Sequence, residues 1–223
     1  MSKKNTSQQH VQDLSVIDLK NINLELLSLL NYTKPQKENP GNAFLHYNNN
    51  VNFVLKTDRM RISRVTPLYM DLVPVCTKEL VQFTNVDKKV IELIHNNSPQ
   101  WFKKSSFSLY DIDEMFKRTV MGENTSTFLR VYWDTENVNG YDKEHQPIPK
   151  TDLINVLVPG CVIKCILRCN PVYFEQSHCI LKWDVNQVMF INGPPEQSTN
   201  EETSTEQDTI TFLLHNEEED DKH

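Results

Sequence analysis

The sequence predicts a mainly β protein with one to three helices, its strands closing into a small barrel ahead of a disordered acidic C-terminal tail. Three observations lead there. Apolar residues alternate with period two from Val51 to Ile62 and again in the strands between Thr127 and Ile191. Helical spacing is confined to short segments. Acidic residues crowd behind Gly193-Pro194-Pro195, where the last apolar run ends. The 223 residues suit one domain with arms. A hydrophobic fraction of 38% against 24% charged supports a core and leaves room for unstructured ends. The expected organisation is a disordered N-terminus over 1–12, a folded domain over 13–192 and a disordered tail over 193–223.

Element by element, residues 1–12 are polar, and 14–30 is densely apolar. The first half of that segment alternates like a strand, and the second is spaced like a helix capped near Asn21 or Asn23. Residues 32–50 hold two prolines, a glycine and the run Asn48-Asn49-Asn50, and read as a loop. Val51, Phe53 and Leu55 share one face, and Met60 and Ile62 lie opposite Arg59 and Arg61. Two short strands separated near Thr57-Asp58 follow from this. Val86, Val90, Ile91, Leu93 and Ile94 predict a helix over 86–96. A second is expected over 111–120, with Asp111 or Asp113 as its cap, Met115, Phe116 and Val120 as its stripe and Gly122 as its stop. The clearest strands are 127–133, 158–169, 172–174 and 178–191; in the last, Cys179, Leu181, Trp183 and Val185 alternate with Ile180, Lys182, Asp184 and Asn186. Asn170-Pro171 breaks the chain between two of them, and 134–150 is a polar loop. Short strands, long polar loops and few helices describe a small OB-fold-like barrel.

The formal charge of −7 sums two unlike parts. Of 30 acidic and 23 basic residues, ten acids and one base, Lys222, fall in 193–223, a net of −9; residues 1–192 keep 20 acids and 22 bases, a net of +2. Such a body tolerates a polyanionic ligand. Five cysteines, an odd number, and a polar start, Met1-Ser2-Lys3-Lys4-Asn5, point to a reducing intracellular setting. No run nears the roughly 18 apolar residues of a membrane span, so no membrane partner is expected.

Gly41, Gly122, Gly140 and Gly160 are isolated, so neither a phosphate-cradling loop nor a dinucleotide fingerprint can be built, and no enzyme activity is expected. Cys161, Cys165 and Cys169 recur every four residues with His178 and Cys179 close behind. On a continuous strand such positions spread over roughly 13 Å, whereas zinc ligands converge through short knuckles. They read as small buried residues on one barrel face, and Asp111-x-Asp113-Glu114 reads as a helix cap. Neither metal nor other cofactor is expected.

Bases repeatedly coincide with aromatics. Lys56, Arg59, Arg61 and Arg64 precede Tyr69; Trp101-Phe102-Lys103-Lys104 is followed by Phe107 and Tyr110; Arg130-Val131-Tyr132-Trp133 and Lys182-Trp183 lie on strands. Single-stranded nucleic acid binds where cations follow phosphates and rings stack on bases, at about 1–3 kcal/mol per stacked base. The candidates for phosphates are Lys56, Arg59, Arg61, Arg64, Lys103, Lys104, Arg130 and Lys182, and for stacking Trp101, Phe102, Tyr132 and Trp133. Taken singly, each cluster also fits an ordinary role: Trp133 and Trp183 as core, Lys103-Lys104 as a solvated pair. In the tail, Ile210-Thr211-Phe212-Leu213-Leu214 precedes Glu217-Glu218-Glu219-Asp220-Asp221. A flexible polyanion beside a basic groove competes with DNA. Phe212, Leu213 and Leu214 with Glu217, Glu218 and Glu219 are the candidate handle for a protein partner.

The stretch from Arg130 to Phe190, with Asp152-Leu153, Leu157, Pro159-Gly160-Cys161 and then Cys179-Ile180-Leu181-Lys182-Trp183-Asp184-Val185-Asn186-Gln187-Val188, resembles the C-terminal half of the single-stranded DNA-binding proteins of large nucleocytoplasmic DNA viruses. Those are similar to phage replication proteins with an OB-fold. Leu55-Lys56-Thr57-Asp58-Arg59-Met60-Arg61 resembles their first barrel strands. Relatives of this kind carry an acidic C-terminal tail; the phage members end it on an aromatic, whereas Phe212 lies eleven residues from the end of this chain. The resemblance implies single-stranded DNA as ligand during viral DNA replication, repair and recombination, and replication proteins such as polymerase or helicase-primase as partners. It also implies location at a viral replication site in host cytoplasm or nucleus, with homodimers or higher oligomers among the allowed assemblies. Two other classes fit the residues: a β-rich protein-interaction or structural protein that binds no nucleic acid, and a zinc-dependent enzyme built on Cys161, Cys165, Cys169 and His178.

Overall fold

The computed structural model describes residues 16–37, 39–102, 107–122, 127–175 and 177–193. The N-terminal arm and the tail beyond Gly193 lie outside them. Five strands form a ring: β1 (Met60–Val65), β2 (Tyr69–Pro74), β3 (Phe128–Tyr132), β4 (Val162–Cys169) and β5 (Trp183–Asn192). β1 pairs with β2, β2 with β3, β5 with β4 and β4 with β1, all antiparallel; β3 and β5 run parallel and close the ring. The order 1-2-3-5-4 around a closed five-stranded barrel is that of an OB-fold, so the expected mainly β, OB-like class is the one observed. The described residues hold three helices, α1 (Lys78–Phe102), α2 (Leu109–Met115) and α3 (Lys150–Val156).

Period-two alternation fills the barrel. Met60 and Ile62, Met70 and Leu72, Leu129, Val131 and Trp133, Ile163, Cys165 and Leu167, and Trp183, Val185 and Val188 are all buried. β1 is preceded by the strand Val54–Lys56, which also pairs with β4. At the break between them Thr57, 2% exposed, substitutes for the ladder: its hydroxyl accepts the Cys165 N–H at 2.9 Å and donates to the Asp58 carbonyl at 3.0 Å. The buried Cys161 and Cys165 and half-buried Cys169 line this strand as expected, and burial pushes the Cys165 thiol up to about 12.

The helix expected over 86–96 is the middle of a 25-residue one. Its C-terminal half contains Pro99, which has no N–H for the carbonyl of His95; the Ser98 hydroxyl donates to that carbonyl at 2.8 Å instead, and the helix continues. α2 ends at Met115 rather than Val120. Its N-cap is Ser108, with Asp111 completing a capping box and lying below its ordinary pKa through hydrogen bonds from Ser108. Phe116 and Lys117 then join a second sheet, ordered Leu27–Thr33, Gly41–Tyr47, Val172–Phe174, Cys179–Ile180, Phe116–Lys117.

That sheet corrects two expectations. The second half of 14–30 is not a helix: Asn23 caps a single 3-10 turn, Leu24–Leu26, and Leu27 and Leu29 then face the core with a strand's period. Residues 32–50 are not all loop, since Ala43 and Leu45 point inward from Gly41–Tyr47. Gly41 serves close packing, because a Cβ there would meet Pro35 Cδ at 2.5 Å. Asn48 and Asn49, at φ 48° and 63°, are the left-handed turn that ends the strand. Within 134–150, Asn139–Tyr141 pairs with both Pro147–Ile148 and β5.

Asp87 of α1 is 1% exposed and receives the Thr119 N–H at 2.8 Å and the Thr119 hydroxyl at 2.6 Å. Desolvation outweighs those bonds and raises its pKa from 3.8 to about 6. The folded state therefore binds this proton more tightly than the unfolded one. Its contribution is full below pH 4 and is lost as pH rises through 6. Asp87→Asn keeps two bonds to Thr119 by reversing the hydroxyl. It is expected to abolish that decline, leaving the variant more stable than wild type above pH 7 by on the order of 2 kcal/mol in denaturant titrations.

Candidate nucleic-acid interface

Outward residues of β2 and β3 come together by register: Tyr69 opposite Tyr132, and Asp71 opposite Arg130. The Arg130 guanidinium donates Nε to Asp71 Oδ1 at 2.7 Å and an Nη to Oδ2 at 2.9 Å. It also lies 4.0 Å from the Tyr69 ring centre and 5.6 Å from that of Phe128. Hydrogen bonding to Asp71, which is 4% exposed, holds the Arg130 pKa above its ordinary value. Arg130 is thus a fixed plate supporting Tyr69, its charge matched by a buried carboxylate.

Unpaired cations surround this plate. Arg64, the β1 partner of Asp71, is exposed and lies 5.7 Å from the Tyr69 ring; Arg61 is exposed one row along, opposite Val73. Lys182 Nζ sits 5.1 Å from the Tyr132 ring centre and 5.7 Å from that of Tyr173. None of Arg61, Arg64 and Lys182 has an ion pair with a described residue. Beside Tyr132 opens a groove of about 490 Å³, lined also by Asn137, Asn186 and the Arg168–Asp184 pair, whose charged atoms are 3.6 Å apart. The face therefore offers half-buried rings with mobile positive charge at their rims, the combination that receives stacked bases and their phosphates.

Of the residues expected from sequence, the fold gathers Arg61, Arg64, Arg130, Tyr132 and Lys182. Lys56 and Arg59 are exposed where the first barrel segment meets β4, away from β3. Two roles are corrected. Arg130 is no uncommitted phosphate ligand, because Asp71 takes up its charge. Trp133 is held in the core, 5% exposed, its indole N–H donated to the Thr66 carbonyl at 2.7 Å; adjacent strand residues face opposite ways, so Trp133 borders the groove beside Tyr132 without presenting a free ring for stacking. Trp101 stacks on Tyr32 with centres 4.8 Å apart, and Trp101 and Phe102 both meet Phe174 edge-on. Phe174 points away from the Tyr173 side of its strand, so this cluster is separate from Lys182. Lys103, Lys104, Phe212, Leu213, Leu214, Glu217, Glu218 and Glu219 lie outside the described residues.

Sequence reasoning noted Tyr69 behind the basic run without selecting it as a stacking residue, and missed Phe128 and Tyr173. The alternation Phe128, Arg130, Tyr132 against Leu129, Val131, Trp133 carried the signal for Phe128. Tyr173 had none, because its relation to Lys182 depends on the fold of the segment between β4 and β5.

No protein-family model and no curated protein matches the chain. Among solved structures it is similar to the C-terminally truncated single-stranded DNA-binding protein of bacteriophage Enc34, at 9% identity and a TM-score of 0.44, over 75% of this chain and 96% of that one. It is also similar to that phage's single-stranded DNA-binding protein in complex with ssDNA, at 10% identity and 0.43, over 77% and 98%. The gp2.5 single-stranded DNA-binding protein of bacteriophage T7 aligns at 10% identity and 0.42, over 68% and 98%. All three of these neighbours are single-stranded DNA-binding proteins of phages.

Proposed function

We propose that this chain is a binding protein rather than an enzyme, and that it coats and protects single-stranded DNA on the outward face of β1, β2 and β3 together with Lys182. The carrying observation is the Tyr69–Tyr132 pair, opposed across two strands and rimmed by the unpaired Arg64 and Lys182. Rings and phosphate-seeking cations read no base edges, so binding is largely independent of sequence. The resemblance of Arg130 to Phe190 extends the proposal to viral DNA replication, repair and recombination. In this reading acidic residues 193–223 compete with DNA, and Phe212-Leu213-Leu214 engages a replication partner.

Titration of labelled oligo-dT tests it. Tyr132→Ala is expected to weaken binding by about ten-fold or more, the loss of a stacked base. Log affinity should fall with log salt at about 0.7 per phosphate neutralised, and Arg64→Ala and Lys182→Ala should each flatten that slope by about as much. Removing 193–223 is expected to tighten binding. Affinity indifferent to salt overturns the proposal.

A further inference from the structure

The strand Val172–Phe174 places Tyr173 on the outer side of the second sheet, where its register partner is Asn42. Tyr173 and Asn42 line a second groove of about 360 Å³, walled on its far side by the turn that carries Lys34 and Asn39. Lys182 stands between the two systems, within 5.1 Å of Tyr132 on the barrel and 5.7 Å of Tyr173 at this groove. One ammonium thus lies over both rings, between the barrel face and the groove.

The groove is chemically suited to continue that face. Tyr173 is half-buried and supplies a ring. Asn42 lines the groove, and its amide oxygen is buried there without a hydrogen-bond partner, so rotating the side chain toward a base edge gives up no bond made by that oxygen. Lys34 is exposed and pairs with no described acid. A ring, an uncommitted amide and a cation are what one more nucleotide needs: stacking, an edge contact and a phosphate contact.

We infer that the groove between Tyr173, Asn42 and Lys34 is a nucleotide subsite outside the barrel, taking the end of the same DNA strand after it crosses Lys182. This rests on the proposed use of the Tyr69–Tyr132 face. The second sheet then lengthens the footprint, and Asn42 gives one position a polar contact that the barrel face lacks.

Oligonucleotide length separates the two ideas. OB-folds cover about 4–16 nucleotides, so full-length protein is titrated with labelled oligo-dT of about four and about twelve residues by fluorescence anisotropy. Lys34→Glu, at an exposed position that does not threaten folding, and Asn42→Ala are each expected to weaken the longer oligomer by about ten-fold and to leave the shorter one unchanged. Unchanged affinity for the longer oligomer in both variants overturns the subsite. Equal loss at both lengths overturns its placement at the end of the path. Tyr132→Ala is the control: it should weaken both lengths, and if it weakens neither, the barrel-face reading fails, whatever the groove variants do.

Discussion

Trp183→Ala is expected to lower stability by about 4 kcal/mol, read as a shift in denaturant midpoint at unchanged slope. Trp183 is fully buried at the start of β5 and meets Phe53 and Phe83 edge-on, each with ring centres 5.5 Å apart. Phe83 belongs to α1 and Phe53 to the approach to β1, so one side chain fastens the inserted helix to the ring. Truncation would open a cavity bordered by three elements that cannot all collapse into it. The indole N–H has no hydrogen-bond partner, a desolvated donor that phenylalanine would remove. Trp183→Phe is therefore expected to cost less than half as much. A change below about 1 kcal/mol in the alanine variant would contradict this account.

Arg130→Ala is expected to cost about 3 kcal/mol, because it strands the Asp71 carboxylate where its side chain is 6% exposed. It should also weaken oligo-dT binding, since Tyr69 loses the plate 4.0 Å from its ring. The two effects are separable: the double variant Asp71→Ala/Arg130→Ala removes the stranded charge and should recover part of the stability but none of the binding. Additive stability losses in that cycle would show that the pair is not coupled.

The barrel was legible wherever burial is set by one sheet's period. Ile163, Cys165 and Leu167 on β4 and Trp183 and Val185 on β5 are buried while Lys164, Ile166 and Asp184 between them are half-exposed; the single strand expected over 178–191 instead divides, Cys179–Ile180 joining the second sheet and β5 starting at Trp183. The second sheet was hidden because the hairpin of Leu27–Thr33 and Gly41–Tyr47 finds its next partner far along the chain, in Val172–Phe174. Pro35, Pro40 and Gly41 advertised a loop, although only the turn needs them. The C-terminal end of α1 was obscured by Asn96, Asn97, Ser98 and Pro99, breakers of which Asn97 and Ser98 here donate back to the carbonyls of Leu93 and His95. For the interface, Arg64, Tyr132 and Lys182 could be proposed as types in sequence. The neutralisation of Arg130 could not, because Asp71 is on a strand 59 residues away.

β5 is the last strand of the ring and pairs with three others, β4, β3 and Asn139–Tyr141. A nascent chain that has not yet reached Asn192 holds β1 to β4 as an open sheet with raw edges on β3 and β4. Parallel, non-local pairing is the slow kind. Closure, and with it the seating of Lys182 against Tyr132, therefore waits until β5 has been made. An interrupted translation product ending before Trp183 would carry the aromatic residues of the interface without a finished surface to present them.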